Sequence, residues 1–140
     1  MRTTIVDASV GAKWFVKEIF SNNAFALFHP DNRLYAPDFF LLEVDNVFCK
    51  RVRRGEMSRQ DANEGRAMLR RFPIEYFAFA PLQDRACAIA LETGRSIYDC
   101  LYLSLAILLD GKMATADRRF YESVKSSAYS RFVVWIQDIS

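Results

Sequence analysis

The chain has 140 residues, of which 51% are hydrophobic and 14% aromatic; this composition suffices for one packed domain and excludes an intrinsically disordered chain. A formal net charge of +2 excludes nucleic-acid binding through overall charge alone. The three cysteines are odd in number and lack paired metal-ligand spacing, which excludes a disulfide framework and a zinc site and favours a reducing compartment.

The first half of the chain is predicted to alternate strands and helices. The β-branched run at 3–6 is continuous rather than alternating, which is typical of a strand buried on both faces of a parallel sheet. Ser9 and Ser58 are candidate helix caps. The predicted elements are, in order, a strand at 3–6, short helices at 9–15 and 20–28, a strand at 34–36, and helices at 38–54 and 58–71.

The second half continues the alternation. The run at 100–109 carries no charge, which predicts a central and largely buried helix that is capped by Ser96. The predicted elements are a strand at 74–79, a helix at 82–93, the central helix at 96–109, a strand at 112–116, a short helix through Phe120 and Val124, and a strand at 132–136.

This alternation predicts an α/β fold with a single domain over residues 1–140. Strands that alternate with helices are joined by right-handed crossovers, so the strands should form a mainly parallel sheet covered by helices on both faces. In such sheets the functional residues lie beyond the carboxyl ends of the strands. Asp7 and Asp117 each follow a predicted strand, and we expect them at the same edge of the sheet.

Four carboxylates occupy positions from which they could act together: Asp7, Glu43, Asp99 and Asp117. Glu43 lies beside the apolar stripe of its helix, and Asp99 lies in the first turn of the uncharged helix. Carboxylates gathered at a half-buried edge repel one another and lose hydration, which raises their pKa values. A divalent cation such as Mg²⁺ or Mn²⁺ relieves this repulsion, polarises phosphoryl oxygens and activates water.

Each of these carboxylates also has a purely structural interpretation. Asp99 fits the second half of a capping box that starts at Ser96. Asp7 and Asp117 fit as N-caps of the helices that follow them, and Glu43 fits at the solvent edge of its helix. Caps need not converge in space, so their convergence would favour a functional site.

Four groups of residues carry a resemblance to a known family. They are Ile5-Val6-Asp7-Ala8-Ser9; Ala36-Pro37, followed by Glu43 and Asn46 on a helix that ends in Arg53-Arg54-Gly55; Tyr98-Asp99-Cys100-Leu101-Tyr102-Leu103-Ser104-Leu105-Ala106; and Thr115-Ala116-Asp117-Arg118-Arg119-Phe120. In order, spacing and chain length, the sequence resembles a PIN-domain ribonuclease, and more narrowly a VapC-type toxin of bacterial toxin–antitoxin pairs.

The resemblance implies a three-layer α/β/α sandwich around five parallel strands and a Mg²⁺- or Mn²⁺-dependent endoribonuclease. The implied metal-binding and catalytic residues are Asp7, Glu43, Asp99 and Asp117. The implied supporting residues are Ser9, Asn46 and Thr115, although the two hydroxyls also fit as simple caps or strand-end hydrogen bonds. An RNA substrate, a small cognate antitoxin protein and a homodimer are implied as partners. Cys100 stands where the family usually has alanine, and its alternatives are packing and, for a thiol so near the cluster, oxidation or soft-metal binding.

A basic segment covers the end of the first long helix and the whole of the next one. Residues 50–71 hold eight basic side chains and three acidic ones. Arg51, Arg53 and Arg54 could hold RNA phosphates near the acidic site, or they could form a solvated helix face. Three aromatic residues could stack on bases or belong to the core: Trp14, Phe15 and Phe39.

Other functions are compatible with acidic residues at strand ends. A Mg²⁺-dependent phosphatase shares this arrangement, whereas a phosphoaspartyl receiver domain needs adjacent acidic residues and Asp7 has Val6 and Ala8 beside it. A catalytically silent PIN-like module that binds RNA or protein is a further alternative. We expect a cytoplasmic protein without a membrane span, because an acid at position 7 interrupts any signal-peptide core and no uncharged stretch exceeds 19–30.

Overall fold

The computed structural model describes residues 1–139, and in them it forms one five-stranded sheet. The strands are β1 (Arg2–Val6), β2 (Asn32–Pro37), β3 (Ile74–Phe77), β4 (Lys112–Thr115) and β5 (Val133–Trp135). They lie in the order β3-β2-β1-β4-β5, and each neighbouring pair is parallel. The prediction of an α/β fold with a parallel five-stranded sheet is therefore confirmed.

Helices connect the strands along the chain. They are α1 (Ala8–Gly11), α2 (Ser21–Phe25), α3 (Phe39–Arg53), α4 (Arg59–Leu69), α5 (Gln83–Thr93), α6 (Ile97–Leu109) and α7 (Arg118–Lys125). The uncharged helix α6 is the most deeply buried, since every residue from 100 to 106 is buried. Within residues 1–139, no helix has the length and apolar character that crossing a membrane requires.

The centre of the sheet is β1, which lies between β2 and β4. The chain adds β2 on one side of β1 and later returns to add β4 on the other side, so the strand order reverses at β1. Val6 of β1 is paired with Ala114 of β4, which brings the carboxyl ends of these strands together. Such a reversal opens the crevice in which α/β proteins place their functional sites.

A glycine allows α1 and α3 to approach each other. A Cβ atom on Gly11 would lie 2.6 Å from Cζ of Phe40, which is fully buried, so a larger residue there would push the two helices apart. Because α1 begins directly after Asp7 and α3 carries Glu43, this close approach also sets how near those two carboxylates lie.

The structure corrects some local predictions. Ser9 does not cap a helix, because α1 begins one residue earlier with Asp7 at its N-cap position, and the Ser9 hydroxyl is bonded to Asp7 instead. The strand predicted at 74–79 ends at Phe77, since the chain then turns into the 3-10 helix Ala80–Leu82, which has proline in its first turn. Trp14 belongs to the core, where its indole N–H donates to the Ala24 carbonyl at 2.9 Å.

Candidate active site

Asp7 is a buried carboxylate at the end of the central strand. It is only 4% exposed, and its Oδ2 atom accepts hydrogen bonds from the hydroxyls of Ser9 and Thr115, each at 2.8 Å. Burial raises the pKa of Asp7 to about 6; the Ser9 and Thr115 bonds oppose this rise, and the charges of Asp99 and Asp117 add to it. Because burial and the neighbouring charges disfavour the ionised form of Asp7, a cation bound beside it would stabilise this carboxylate.

The two hydroxyls also connect the ends of β1 and β4. The Thr115 Oγ1 atom accepts the backbone N–H of Asp117 at 3.1 Å, and the Ser9 Oγ atom accepts that of Ala116 at 3.0 Å. Asp117 Oδ1 accepts the N–H of Phe120 at 3.1 Å and so caps α7. Ser9 and Thr115 therefore hold the backbone segment that carries Asp117 against Asp7.

Glu43 lies on α3, and its half-buried side chain faces the same edge of the sheet. The hydroxyl of the fully buried Tyr102 donates to Glu43 Oε1 at 3.3 Å. Burial, together with the charges of Asp7 and Asp99, raises the pKa of Glu43 to about 7 although the bond from Tyr102 lowers it.

Asp99 lies in the first turn of α6, where Ser96 accepts its backbone N–H at 3.2 Å. Its side chain is half-buried, and burial raises its pKa. A hydrogen bond that the Asp99 carboxylate accepts from the Ser96 side chain lowers this pKa, the Asp117 charge raises it, and the guanidinium of Arg95 lowers it. Asp99 is thus both part of the helix start and a member of the acidic cluster.

The charges of Asp7 and Asp99 act on Glu43, and the charge of Asp117 acts on Asp7 and Asp99, so the four carboxylates form one connected acidic cluster. Among residues 1–139 no group of three or more His, Cys, Asp or Glu side chains is already arranged to hold one metal ion. Mg²⁺ needs only one or two protein carboxylates, because water and substrate phosphate complete its octahedron. An all-oxygen donor set therefore fits Mg²⁺ or Mn²⁺ better than it fits zinc.

Cys100, which directly follows Asp99, contributes to packing. Its side chain is fully buried, and burial raises the pKa of its thiol to about 11. Because only the thiolate is a good metal ligand or nucleophile, this environment favours the packing interpretation over oxidation or soft-metal binding.

The basic residues chosen from the sequence lie farther along α3. Arg51 forms ion pairs with Glu18 at 3.2 Å and Glu56 at 3.3 Å, which neutralise much of its charge. Arg53 and Arg54 are exposed at the end of the helix, ten and eleven residues after Glu43, or about 15 Å at 1.5 Å per residue.

Two further basic residues of the segment are also paired. Arg66 lies on α4 and Arg70 is the C-cap residue of this helix. Each forms an ion pair with Asp45 at 2.9 Å. Fewer basic side chains of this segment are therefore available to bind phosphate than the sequence suggests.

Two residues of this region were not recognised from the sequence as part of the site. Tyr102 bonds to Glu43, a residue 59 positions away in the chain, and only the fold brings them together. Arg95 precedes α6, and its positive charge lowers the pKa of Asp99. Its Nε atom is buried and has no hydrogen-bond partner among residues 1–139. The spacing of Arg95 and Asp99 gave no signal, because Arg95 lies outside the helix.

Comparison with known proteins identifies the family of the chain. The family model of the PIN domain matches residues 4–125. The chain is 32% identical over 120 residues to Ribonuclease VapC3 of Pyrobaculum aerophilum, and the match covers 84% of this chain and 92% of that protein.

Solved structures of similar fold come from toxin–antitoxin complexes. One is VapBC2 from Rickettsia felis bound to a DNA fragment of its promoter, with a TM-score of 0.64, 13% identity and coverage of 95% of this chain and 98% of that one. Another is a toxin–antitoxin complex from Klebsiella pneumoniae, with a TM-score of 0.63, 14% identity and coverage of 94% and 95%. At these identities the likeness concerns the fold.

Proposed function

Because the chain belongs to the PIN-domain family, we propose that it is a metal-dependent endoribonuclease, the toxin of a toxin–antitoxin pair, that hydrolyses RNA phosphodiester bonds at the edge of the sheet. The proposed catalytic and metal-binding residues are Asp7, Glu43, Asp99 and Asp117. The observation that carries this proposal is the buried Asp7, which is held by two hydroxyls and surrounded by other carboxylates.

The metal expected here is Mg²⁺ or Mn²⁺, which would supply a water of lowered pKa and polarise a phosphate oxygen. The fold prepares Asp7 for this ion, because both hydroxyl bonds are made to Oδ2 and neither engages Oδ1. The same hydroxyls also bind the backbone N–H groups of Ala116 and Asp117 and so hold this segment beside Asp7.

Glu43 is suited to accept a proton during the attack of water. Without a metal ion its pKa is about 7, so the carboxylate changes protonation near neutral pH, the range in which a general base is most effective, and a bound cation would lower this pKa. Tyr102 fixes Oε1 of this carboxylate, and burial keeps the tyrosine pKa well above its usual value, so the phenol stays a donor.

RNA must also be held through its phosphates. Arg95 is the basic residue whose charge lowers the pKa of Asp99, and its place next to this carboxylate makes it the first candidate to bind a phosphate next to the scissile bond. Arg51, Arg53 and Arg54 remain candidates for phosphates farther along the strand, with Arg51 the weakest because of its ion pairs.

The proposed protein partners are a cognate antitoxin and a second copy of the chain. The antitoxin is supported by the toxin–antitoxin complexes that share the fold. Exposed apolar side chains, Leu42 at 70% and Leu91 at 83%, supply surface that such partners could cover. A cytoplasmic location agrees with three cysteines that are all free.

The test is cleavage of total RNA and of a labelled single-stranded RNA with Mg²⁺, Mn²⁺ or EDTA. We expect metal-dependent cleavage by the wild type and its loss in Asp7→Asn and Asp99→Asn. Asp84→Asn, which changes an exposed carboxylate on α5, is the matched control and should cleave normally. Equal cleavage by all variants, or cleavage in EDTA, would refute the proposal. RNA binding without any cleavage would identify a silent binding module.

A further inference from the structure

A groove of about 570 Å³ opens beside the acidic cluster, along α3 from Phe39 to Cys49 and at the first turn of α6. It is lined by Phe39, Leu42, Glu43, Asp45, Asn46, Cys49 and Tyr98. Glu43 belongs both to this groove and to the acidic cluster, so whatever occupies the groove lies next to the reacting phosphate. The chemistry proposed above does not otherwise use the groove.

Aromatic rings form one wall of the groove. The ring centroid of Phe39 lies 5.4 Å from that of Tyr102 and 6.0 Å from that of Tyr98. Tyr102 is fully buried and bonded to Glu43, whereas Tyr98 is 62% exposed. The rings therefore lead from the catalytic carboxylate to the surface, and the outermost ring is free to stack on a planar ligand.

The other wall carries an amide and no positive charge. Asn46 lies one helical turn after Glu43, is exposed, and offers both donor and acceptor atoms. No Lys or Arg is among the residues that line the groove, and the charge of Asp45 is balanced by Arg66 and Arg70. This lining suits an uncharged planar group with a hydrogen-bonding edge better than it suits a phosphate.

We propose that the groove is a nucleobase subsite in which one unpaired base next to the scissile phosphate stacks on Tyr98 and Phe39, with its edge toward the Asn46 amide. The proposal rests on the proposed nuclease function, because it concerns the same RNA. Single-stranded bases are commonly recognised by stacking on aromatic rings together with hydrogen bonds to their edges. An asparagine amide can bind a base edge in a bidentate manner, with adenine as the usual example.

The first experiment measures binding separately from catalysis. Fluorescence anisotropy in EDTA compares the affinity of the full chain for labelled oligo(A) decamer and for a decamer of abasic ribose phosphate. We expect Tyr98→Ala to weaken binding of oligo(A) about tenfold, as expected for the loss of one stacked base, and to leave abasic binding unchanged. Tyr98→Phe keeps the ring and should bind within twofold of wild type. Phe25→Ala removes an exposed ring on α2, outside the groove, and is the matched control.

The second experiment separates this proposal from the nuclease proposal. With Mg²⁺, kcat/KM for oligo(A) cleavage should fall about tenfold in Tyr98→Ala and recover in Tyr98→Phe. Normal binding and cleavage by Tyr98→Ala, or an equal loss on abasic RNA, would overturn the base subsite and leave the groove to a protein partner. Tyr98-dependent binding with no cleavage by any protein would uphold the subsite and refute the nuclease.

Discussion

Ionisation of Asp7 opposes folding when no cation is bound. The ordinary pKa of 3.8 applies to the unfolded chain, and the folded pKa is about 6. Between these values the folded state binds more protons than the unfolded state, so the free energy of unfolding decreases as pH rises from about 4 to 6. Above pH 6 the full loss remains, and the difference of the two pKa values corresponds to about 3 kcal/mol.

The perturbation that isolates this effect is Asp7→Asn. The amide keeps an oxygen that can accept the bonds from Ser9 and Thr115 but carries no charge. We expect the variant to be up to about 3 kcal/mol more stable than the wild type at pH 8 and nearly equal to it at pH 4. Some pH dependence should remain in the variant, because Glu43 is shifted in the same direction.

The assay is urea unfolding of both proteins at pH 4, 6 and 8 in EDTA, repeated with Mg²⁺. Mg²⁺ at a hundred times its Kd should stabilise the wild type by about 2.7 kcal/mol, and it should stabilise Asp7→Asn much less. Asp84→Asn is again the control and should follow the wild type. If Asp7→Asn is less stable than the wild type at pH 8, or shows the same slope against pH, burial of the Asp7 charge does not destabilise the fold.

Three further variants test neighbouring contacts. Tyr102→Phe removes the bond that lowers the pKa of Glu43, so the rise of kcat/KM with pH should move to higher pH. The variant should also lose about 1 kcal/mol in the free energy of unfolding, measured with urea. Thr115→Val leaves the Asp117 N–H and Asp7 each without one partner and should cost about 1–3 kcal/mol in the same assay. Ser58→Ala removes the cap of α4 and should cost about 1 kcal/mol while RNA cleavage stays at the wild-type level.

Local sequence signals were sufficient for most of the fold. The β-branched run before Asp7 and the uncharged run from 100 to 109 both predicted their elements, because each pattern matches the environment of a buried strand or helix. The order of the strands is not encoded in any single segment. It depends on which edge of β1 each later strand joins, and that choice is made by packing across the whole domain.

The part of the site that lies at the ends of strands could be predicted from the sequence. Asp7 and Asp117 follow adjacent parallel strands, so their proximity could be expected from position alone. The bond between Tyr102 and Glu43 could not, since it joins two helices whose relative rotation no local pattern specifies. Ser9 was misassigned for a related reason: a serine near a helix start can bond to the backbone or to a carboxylate, and only the neighbouring strand decides which.

Capping and catalysis are not competing explanations for these acids. In a parallel α/β sheet the helices that follow the strands start at the edge where the strands end, so caps and functional groups share that edge. Asp117 caps α7 by accepting the backbone N–H of Phe120, and its charge also raises the pKa of Asp7. The N-terminal ends of α6 and α7 carry partial positive charge and so offset part of the repulsion among the carboxylates. The fold can therefore keep an acidic cluster together before a cation arrives, and the residual repulsion is what the pH dependence of Asp7→Asn would measure.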